Sequence, residues 1–362
     1  MFVDRLELIN FRNYGRQALE LSPRVNIFTG GNGMGKTNLL EAVYFCSIGR
    51  SPRTPRDREL ILWNEERAKV FLRTQKSEGD ESVEIIISKN ENKRVLVNGI
   101  PVSRIGELMG AVATVFFSPT ELKVVQGAPG ERRSFIDIAL CQISRAYFYL
   151  LTRYNKTLAQ RNRLLKSGQA TRDTLAIWDG QLAHVGAKVI KTRKGFIKSL
   201  APLAKGQHLY LSGGQEDLQL CYEGLAGETA EELEELFLKE LQQNTARDMK
   251  VGFTHTGPHK DDVSIKIGNT DIRTFGSQGQ QRTAALSLKL SELELAKLTK
   301  SESPVLLLDD VLSELDPHRQ LKLLERVQGF QTLITCTHLE PFAAEFFSGT
   351  QTEFKVREGC VV

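Results

Sequence analysis

"VNIFTGGNGMGKTNLLEAVYFCSIG", residues 25–49, decides the fold. Val25–Gly30 is a short apolar run that reads as a buried strand, and Thr37–Gly49 reads as a helix that stops at glycine. Between them Gly30, Gly35, Lys36 and Thr37 fit GxxxxGK[ST] without departure. Glycines let backbone N–H groups turn toward phosphate oxygens, and the helix N-terminus adds partial positive charge. Lys36 is placed to reach the β- and γ-phosphates, and the Thr37 hydroxyl to ligate Mg²⁺. The expected nucleotide contacts are therefore Gly30, Asn32, Gly33, Gly35, Lys36, Thr37 and Asn38. A glycine-rich turn that binds nothing would not need a strand before it and a helix after it.

A phosphate-binding loop needs a second acidic strand. "PVLLLDD", residues 304–310, is an apolar run ending in two carboxylates, the pattern of a fully buried strand with charge at its exit. Adjacent carboxylates repel unless a cation lies near. Asp309 is read as the Mg²⁺-side acid and Asp310 as the base that orients and deprotonates water. The two halves lie about 270 residues apart, which implies an insertion between two pieces of one nucleotide-binding sheet. The fold class is α/β.

"LSGGQ", residues 211–215, has the letters of the signature loop of ABC-type ATPases. That loop opens a helix shortly before the second acidic strand. Here two acids and an alternating, strand-like "EDLQLCYEG" follow, and acids at the exit would repel a γ-phosphate. The stretch is read as a turn. "FGSQGQQRTAALSLKLSELELAKL", residues 275–298, fits the role better. Ser277, Gly279 and Gln280 stand at the start of a long helical pattern that begins 32 residues before Asp309. A serine hydroxyl, a glycine backbone and a helix N-terminus make an anion site, so Ser277 and Gln280 are expected to take the γ-phosphate held by another subunit. The same residues also make an ordinary capping box. Downstream, Ser313–Asp316 with Pro317 reads as a loop and helix start, and "TLITCTHLE" (332–340) as a strand leading to His338, a candidate γ-phosphate contact.

Composition bounds the partners. Charged residues are 25%, the hydrophobic set 41% and the net charge +4, an ordinary globular balance that permits nucleic acid without requiring it. Five scattered cysteines make no metal or disulfide framework, and reduced thiols point to a cytoplasmic protein. The charged start is no signal peptide, and no apolar stretch is long enough to span a membrane. Charge is uneven along the chain. Residues 131–205 hold fifteen Lys/Arg against four Asp/Glu, whereas 216–240 hold nine acids against one Lys. The basic part reads as two long helices, one carrying Arg153, Lys156, Arg161, Arg163 and Lys166, the other Lys188, Lys191, Arg193, Lys194 and Lys198. Such rows neutralise DNA phosphates without reading sequence, or else are solvated faces partly paired with the acidic stretch. Arg50, Arg53, Arg56 and Arg58 add a basic, proline-punctuated loop.

Four stretches carry a family resemblance: "LINFRNY" (8–14), "FSPTELKVVQGAPGERRSFID" (117–137), "TGPHKDD" (256–262) and "LLDDVLSELDPHR" (307–319). With them the chain resembles the bacterial RecF family of recombination mediators, in the SMC-like branch of ABC ATPases. Thr120, Glu121 and Gln126 depart from the family's usual letters. The resemblance implies an ABC-type head in two sequence pieces, residues 1–117 and 249–362, with an inserted, mainly helical lobe at 118–248. It places Arg12 and Asn13 where relatives contact the nucleotide; a surface arginine in a strand-to-turn segment is the other reading. It implies ATP and Mg²⁺ as cofactors, an ATP-dependent homodimer, duplex and gapped DNA, the mediators RecO and RecR and the recombinase RecA as partners, no membrane, and a weak DNA-stimulated ATPase. The rival readings are an ATP-binding subunit of a membrane transporter and a non-hydrolysing ATP-binding scaffold.

Overall fold

The computed structural model describes residues 1–300, 302–338, 346, 349 and 351–362. The chain divides into two compact units: Met1–Glu121 with Tyr210–Gly214 and Leu286–Val362, and Leu122–Leu209 with Gln215–Ala285.

The first unit holds two six-stranded sheets. One is antiparallel, in the order 14–20, 2–11, 67–75, 81–88, 94–97, 100–101. Its strands alternate: Ala68, Val70, Leu72 and Thr74 are buried, while the residues between them are more exposed, as expected of a sheet packed on one face. The other sheet runs 360–361, 351–357, 25–29, 332–336, 305–309, 114–117, all parallel except the short 360–361 edge. Strands 305–309, 332–336 and 114–117 are buried at every position, so their sequences are apolar runs rather than alternating ones. Strand 332–336 lies between 25–29 and 305–309, which brings three strand ends together. The helix Lys36–Ile48 packs against strands of both sheets. Only Thr37 and Asn38 of its residues escape burial.

The second unit holds the helices Pro129–Ile143, Arg145–Lys166 and Ala230–Val251, most of Arg172–Leu211, and a small antiparallel sheet ordered 270–271, 262–267, 218–223. The two long basic helices are present, and the second runs Arg172–Leu211 with Pro202 inside it. This unit differs from the expected 118–248 segment by reaching Ala285. The reason is strand pairing: Asp262–Ile267 adds to Leu218–Glu223, which draws the following residues into the same unit. Within 211–215, Leu211 ends the helix and residues 212–214 form a turn, with Gly213 at φ 72° and Gly214 at φ 83°.

Buried ion pairs hold the second unit. Arg161, fully buried, reaches Asp179 at 2.6 Å and Asp248 at 2.7 Å and donates to Thr254 Oγ1 at 2.8 Å, joining three helices and the segment after them. Arg193 pairs with Asp137 at 2.7 Å and donates to Pro258 O at 2.6 Å; Arg132 pairs with Asp262 at 2.6 Å. Arg161 and Arg193 therefore leave the basic rows read from sequence. They are core residues, whereas Arg153, Lys156, Arg163, Lys166, Lys188, Lys191 and Lys198 are exposed.

Candidate nucleotide-binding site

The phosphate-binding loop is shaped by close approaches. Gly35 caps the helix at φ 115°, and a Cβ there would lie 2.7 Å from the Asn13 amide. Only glycine fits that position. The loop is tied down from outside: Tyr14 OH donates to Gly35 O at 3.1 Å and Asn13 Nδ2 to Met34 O at 3.0 Å. Burial, with Cys360 as the lesser cause, raises the pKa of the Tyr14 phenol, so it stays a donor. Lys36 Nζ donates to Gly30 O at 2.6 Å and Gly31 O at 2.8 Å, which sets the ammonium inside the loop. Asn32 and Gly33 form the exposed crest, and Asn38 Nδ2 donates to Asn13 Oδ1 at 2.8 Å.

Arg12 lies beside this loop, held by a carboxylate the sequence did not single out. Its Nε and Nη2 donate to the two oxygens of Glu41 at 2.9 and 2.7 Å, and Nη1 donates to Glu59 O at 3.0 Å. The Glu41 side chain is fully buried and also accepts from Ser51 at 2.5 Å. Arg53, read from sequence as part of a DNA-facing loop, donates to Asn38 Oδ1 at 2.9 Å. It therefore borders the nucleotide loop.

The acidic strand arrives as expected. Asp309 Oδ1 accepts from Thr37 Oγ1 at 2.8 Å and from Thr335 Oγ1 at 2.8 Å. Burial raises the pKa of the Asp309 carboxyl; the hydroxyls of Thr335 and Thr37 and the charge of Arg53 oppose the shift, and Asp310 adds to it. Asp310 follows in the left-handed region at φ 53°, its N–H donating to Thr335 O at 3.2 Å and Thr335 Oγ1 at 3.0 Å. That conformation is uncommon for a residue other than glycine, and the Thr335 contacts hold it. Asp310 Oδ1 is buried and has no hydrogen-bond partner among the described residues. A buried acceptor left unmade costs about 1–3 kcal/mol and calls for an occupant.

Ser277 and Gln280 form a complete capping box: Gln280 N donates to Ser277 Oγ at 3.2 Å, and Ser277 N to Gln280 Oε1 at 2.9 Å. The other end of the amide is also engaged, Gln280 Nε2 donating to Glu216 Oε1 at 2.9 Å. Gln280 is thus bound at both ends of its side chain. Ser277 is exposed at the start of the helix Gln278–Thr299, and Gly279 O accepts from Thr283 Oγ1 at 2.8 Å. The two halves of the expected site lie in different units: Lys36, Thr37, Asp309 and Asp310 in the first, Ser277, Gly279 and Gln280 in the second. His338 is exposed beyond strand 332–336, its Nδ1 3.2 Å from Thr337 Oγ1; Leu339 and Glu340 lie outside the described residues. Pro317 opens the helix Pro317–Val327, capped by Asp316, which accepts from Arg319 N at 3.0 Å.

The helix 172–211 pairs with the acidic stretch at several points, among them Lys205 with Asp217 at 2.9 Å. Lys194 pairs with Glu228 at 2.9 Å and His184 with Glu234 at 2.8 Å. No helix among the described residues is long and apolar enough to cross a membrane.

Over residues 2–351 the sequence matches the RecF/RecN/SMC N terminal domain. It is 45% identical over 364 residues to the DNA replication and repair protein RecF of Lachnoclostridium phytofermentans, covering 100% of this chain and 99% of that protein. To the protein of the same name from Alkaliphilus oremlandii it is 44% identical over 344 residues, 94% of each chain. Among solved structures, the recombination mediator protein RecF with ATP, of the RecFOR pathway, superimposes with a TM-score of 0.92 at 36% identity, over 100% of this chain and 97% of that one. An Smc head domain from Pyrococcus furiosus, bound to the C-terminal domain of ScpA, superimposes at 0.59 with 16% identity over 99% and 95%, a likeness that bears on the fold alone.

Proposed function

This chain belongs to the RecF/RecN/SMC N terminal domain family, within its RecF group, and we propose on that premise that it is an ATP-dependent DNA clamp of recombinational repair. Its fold is the α/β ABC-type ATPase head carrying a second, mainly helical unit. The carrying observation is the Asp309–Thr37 pair with the unpartnered, buried Oδ1 of Asp310 beside it: a site poised for a cation and a water at the mouth of a phosphate-binding loop.

ATP seats on Gly30–Asn38, with Lys36 toward its outer phosphates. The residues fit Mg²⁺. Thr37 and Asp309 offer two oxygen donors, which suits an ion that keeps waters and takes phosphate oxygens. Bound there, Mg²⁺ would neutralise charge on the phosphates. Asp310 accepts a proton from water at Oδ1, and Asp309 holds the Thr37 hydroxyl in place. The second half of each pocket comes from a second copy of the chain: the Ser277 hydroxyl and the helix start at Gly279 face the γ-phosphate. Gln280 takes a supporting part, because its amide is already bound at both ends. Closure of two chains around two ATP molecules gathers the exposed bases of helices 145–166 and 172–211 into one surface for duplex or gapped DNA. Weak, DNA-stimulated hydrolysis reopens it. In the cytoplasm the clamp works beside RecO and RecR to place RecA. The relatives' names, all from DNA replication and repair, do not favour a membrane-transporter subunit.

Molecular mass in solution with and without ATP and Mg²⁺ tests the reading. Wild type should double in mass and retain duplex DNA; Lys36→Met should do neither, and DNA retention unchanged in Lys36→Met rejects the clamp. Asp310→Asn should bind ATP but hold the dimer far longer, with turnover reduced by roughly a hundredfold or more; prompt dissociation would remove Asp310 from the role of base.

A further inference from the structure

Glu216 stands one residue past the turn whose letters imitate a signature loop, and it touches the residues that open the helix 278–299. Its Oε1 accepts from Gln280 Nε2 at 2.9 Å. Its Oε2 lies 3.0 Å from Nε2 of His208, whose side chain is fully buried near the end of the helix 172–211. A carboxylate has only acceptors, so both neighbours must present N–H groups. That requirement fixes the Gln280 amide. With Nε2 on Glu216, Oε1 is the end left for the Ser277 N–H, 2.9 Å away. The flipped amide would set an oxygen against the carboxylate and a donor against a donor. With the amide so fixed, Gln280 N donates to Ser277 Oγ at 3.2 Å, and the serine's own proton remains to be given elsewhere.

We propose that Glu216 is a positioning residue of the composite ATP site: through Gln280 it sets Ser277 as a hydroxyl donor toward the γ-phosphate bound to a second copy of the chain. The inference rests on the clamp reading above. All four residues, His208, Glu216, Ser277 and Gln280, lie in the second unit, and on the clamp reading they act on the nucleotide of the partner chain. The acid that spoils 211–215 as a phosphate loop thereby serves the stretch that replaces it.

The split between two binding events gives the test. In Glu216→Ala the affinity of the monomer for a fluorescent ATP analogue should stay within about twofold of wild type. The ATP-driven dimer, measured by analytical ultracentrifugation, should weaken roughly tenfold per site and so roughly a hundredfold for two sites. Glu216→Gln keeps an acceptor for Gln280 and should recover most of the loss. Ser277→Arg separates the proposal from its premise. If Ser277→Arg abolishes the dimer while Glu216→Ala leaves it unchanged, or if Glu216→Gln fails as badly as Glu216→Ala, the positioning role is overturned and the composite pocket stands. If Ser277→Arg dimerises normally, the pocket itself is rejected and the role of Glu216 with it.

Discussion

The two units of this chain put charge to different uses. In the first, the parallel sheet is apolar along 305–308, and its acids, Asp309 and Asp310, stand at the strand end where a nucleotide is to sit. In the second, ionised groups lie in the core: Arg161 and Asp248 have fully buried side chains, and Arg193 is nearly so. The contrast teaches that the first unit, besides buried pairs of its own such as Arg12–Glu41 and Lys289–Glu292, sets acids at a strand end for a ligand, while the second uses charge to fix the geometry of its helices. Buried ion pairs are weak sources of net stability, but breaking one by removing a single partner is expensive.

Arg161→Ala should therefore give the largest effect on folding. It strands Asp179 and Asp248 and should cost about 3–5 kcal/mol, read as an early melting transition, with residual ATP binding by the first unit as the discriminating signal. Loss of both units together would erase the contrast.

Acid should separate the units next. His259 accepts from Tyr154 OH at Nδ1, 2.6 Å, and its Nε2 lies 3.1 Å from Thr254 O; burial is the main cause that pushes its pKa down to about 4. The native ring is neutral where the unfolded ring, near 6.5, takes a proton. Its stabilisation is thus complete above about pH 6.5 and is lost as pH falls toward 4, a total of about 3 kcal/mol. His259→Gln should flatten the dependence of the melting temperature over that window; an unchanged slope would move the acid sensitivity elsewhere.

The smallest effect on stability, and a clear one on binding, belongs to the exposed bases. Replacing Lys188, Lys191 and Lys198 by glutamine should change stability by less than about 0.5 kcal/mol each. It should lower the slope of log affinity for duplex DNA against log salt by about 0.9 for each phosphate no longer neutralised. A slope that does not move would place the DNA on another face.

How much of this was legible depended on whether a residue's partner was near in sequence. The strand, loop and helix of 25–49 announce themselves, because glycine spacing and apolar runs are local signals. The capping box at Ser277–Gln280 spans four residues and was equally readable. Arg161 was not, since its two acids lie 18 and 87 residues away on other helices, and an arginine in a helix looks the same whether solvated or enclosed. Glu41, Thr335 and Glu216 escaped for the same reason. Glu41 and Thr335 are unremarked letters until folding sets them against Arg12 and Asp309, and Glu216, read only as an acid at a loop exit, gains its partner Gln280 the same way. The extent of the second unit depended on a strand pairing, 218–223 with 262–267, that no periodicity declares.

One hydroxyl serves both acids of the nucleotide site: Thr335 Oγ1 gives its proton to Asp309 and receives the N–H of Asp310. The metal-side acid and the water-side base are therefore yoked to a single atom on a neighbouring strand. Neither can be retuned alone. Valine at 335, equal in shape but mute in hydrogen bonding, would slacken both grips in one stroke, so the timing of the clamp and its hold on the cation are bound to drift together.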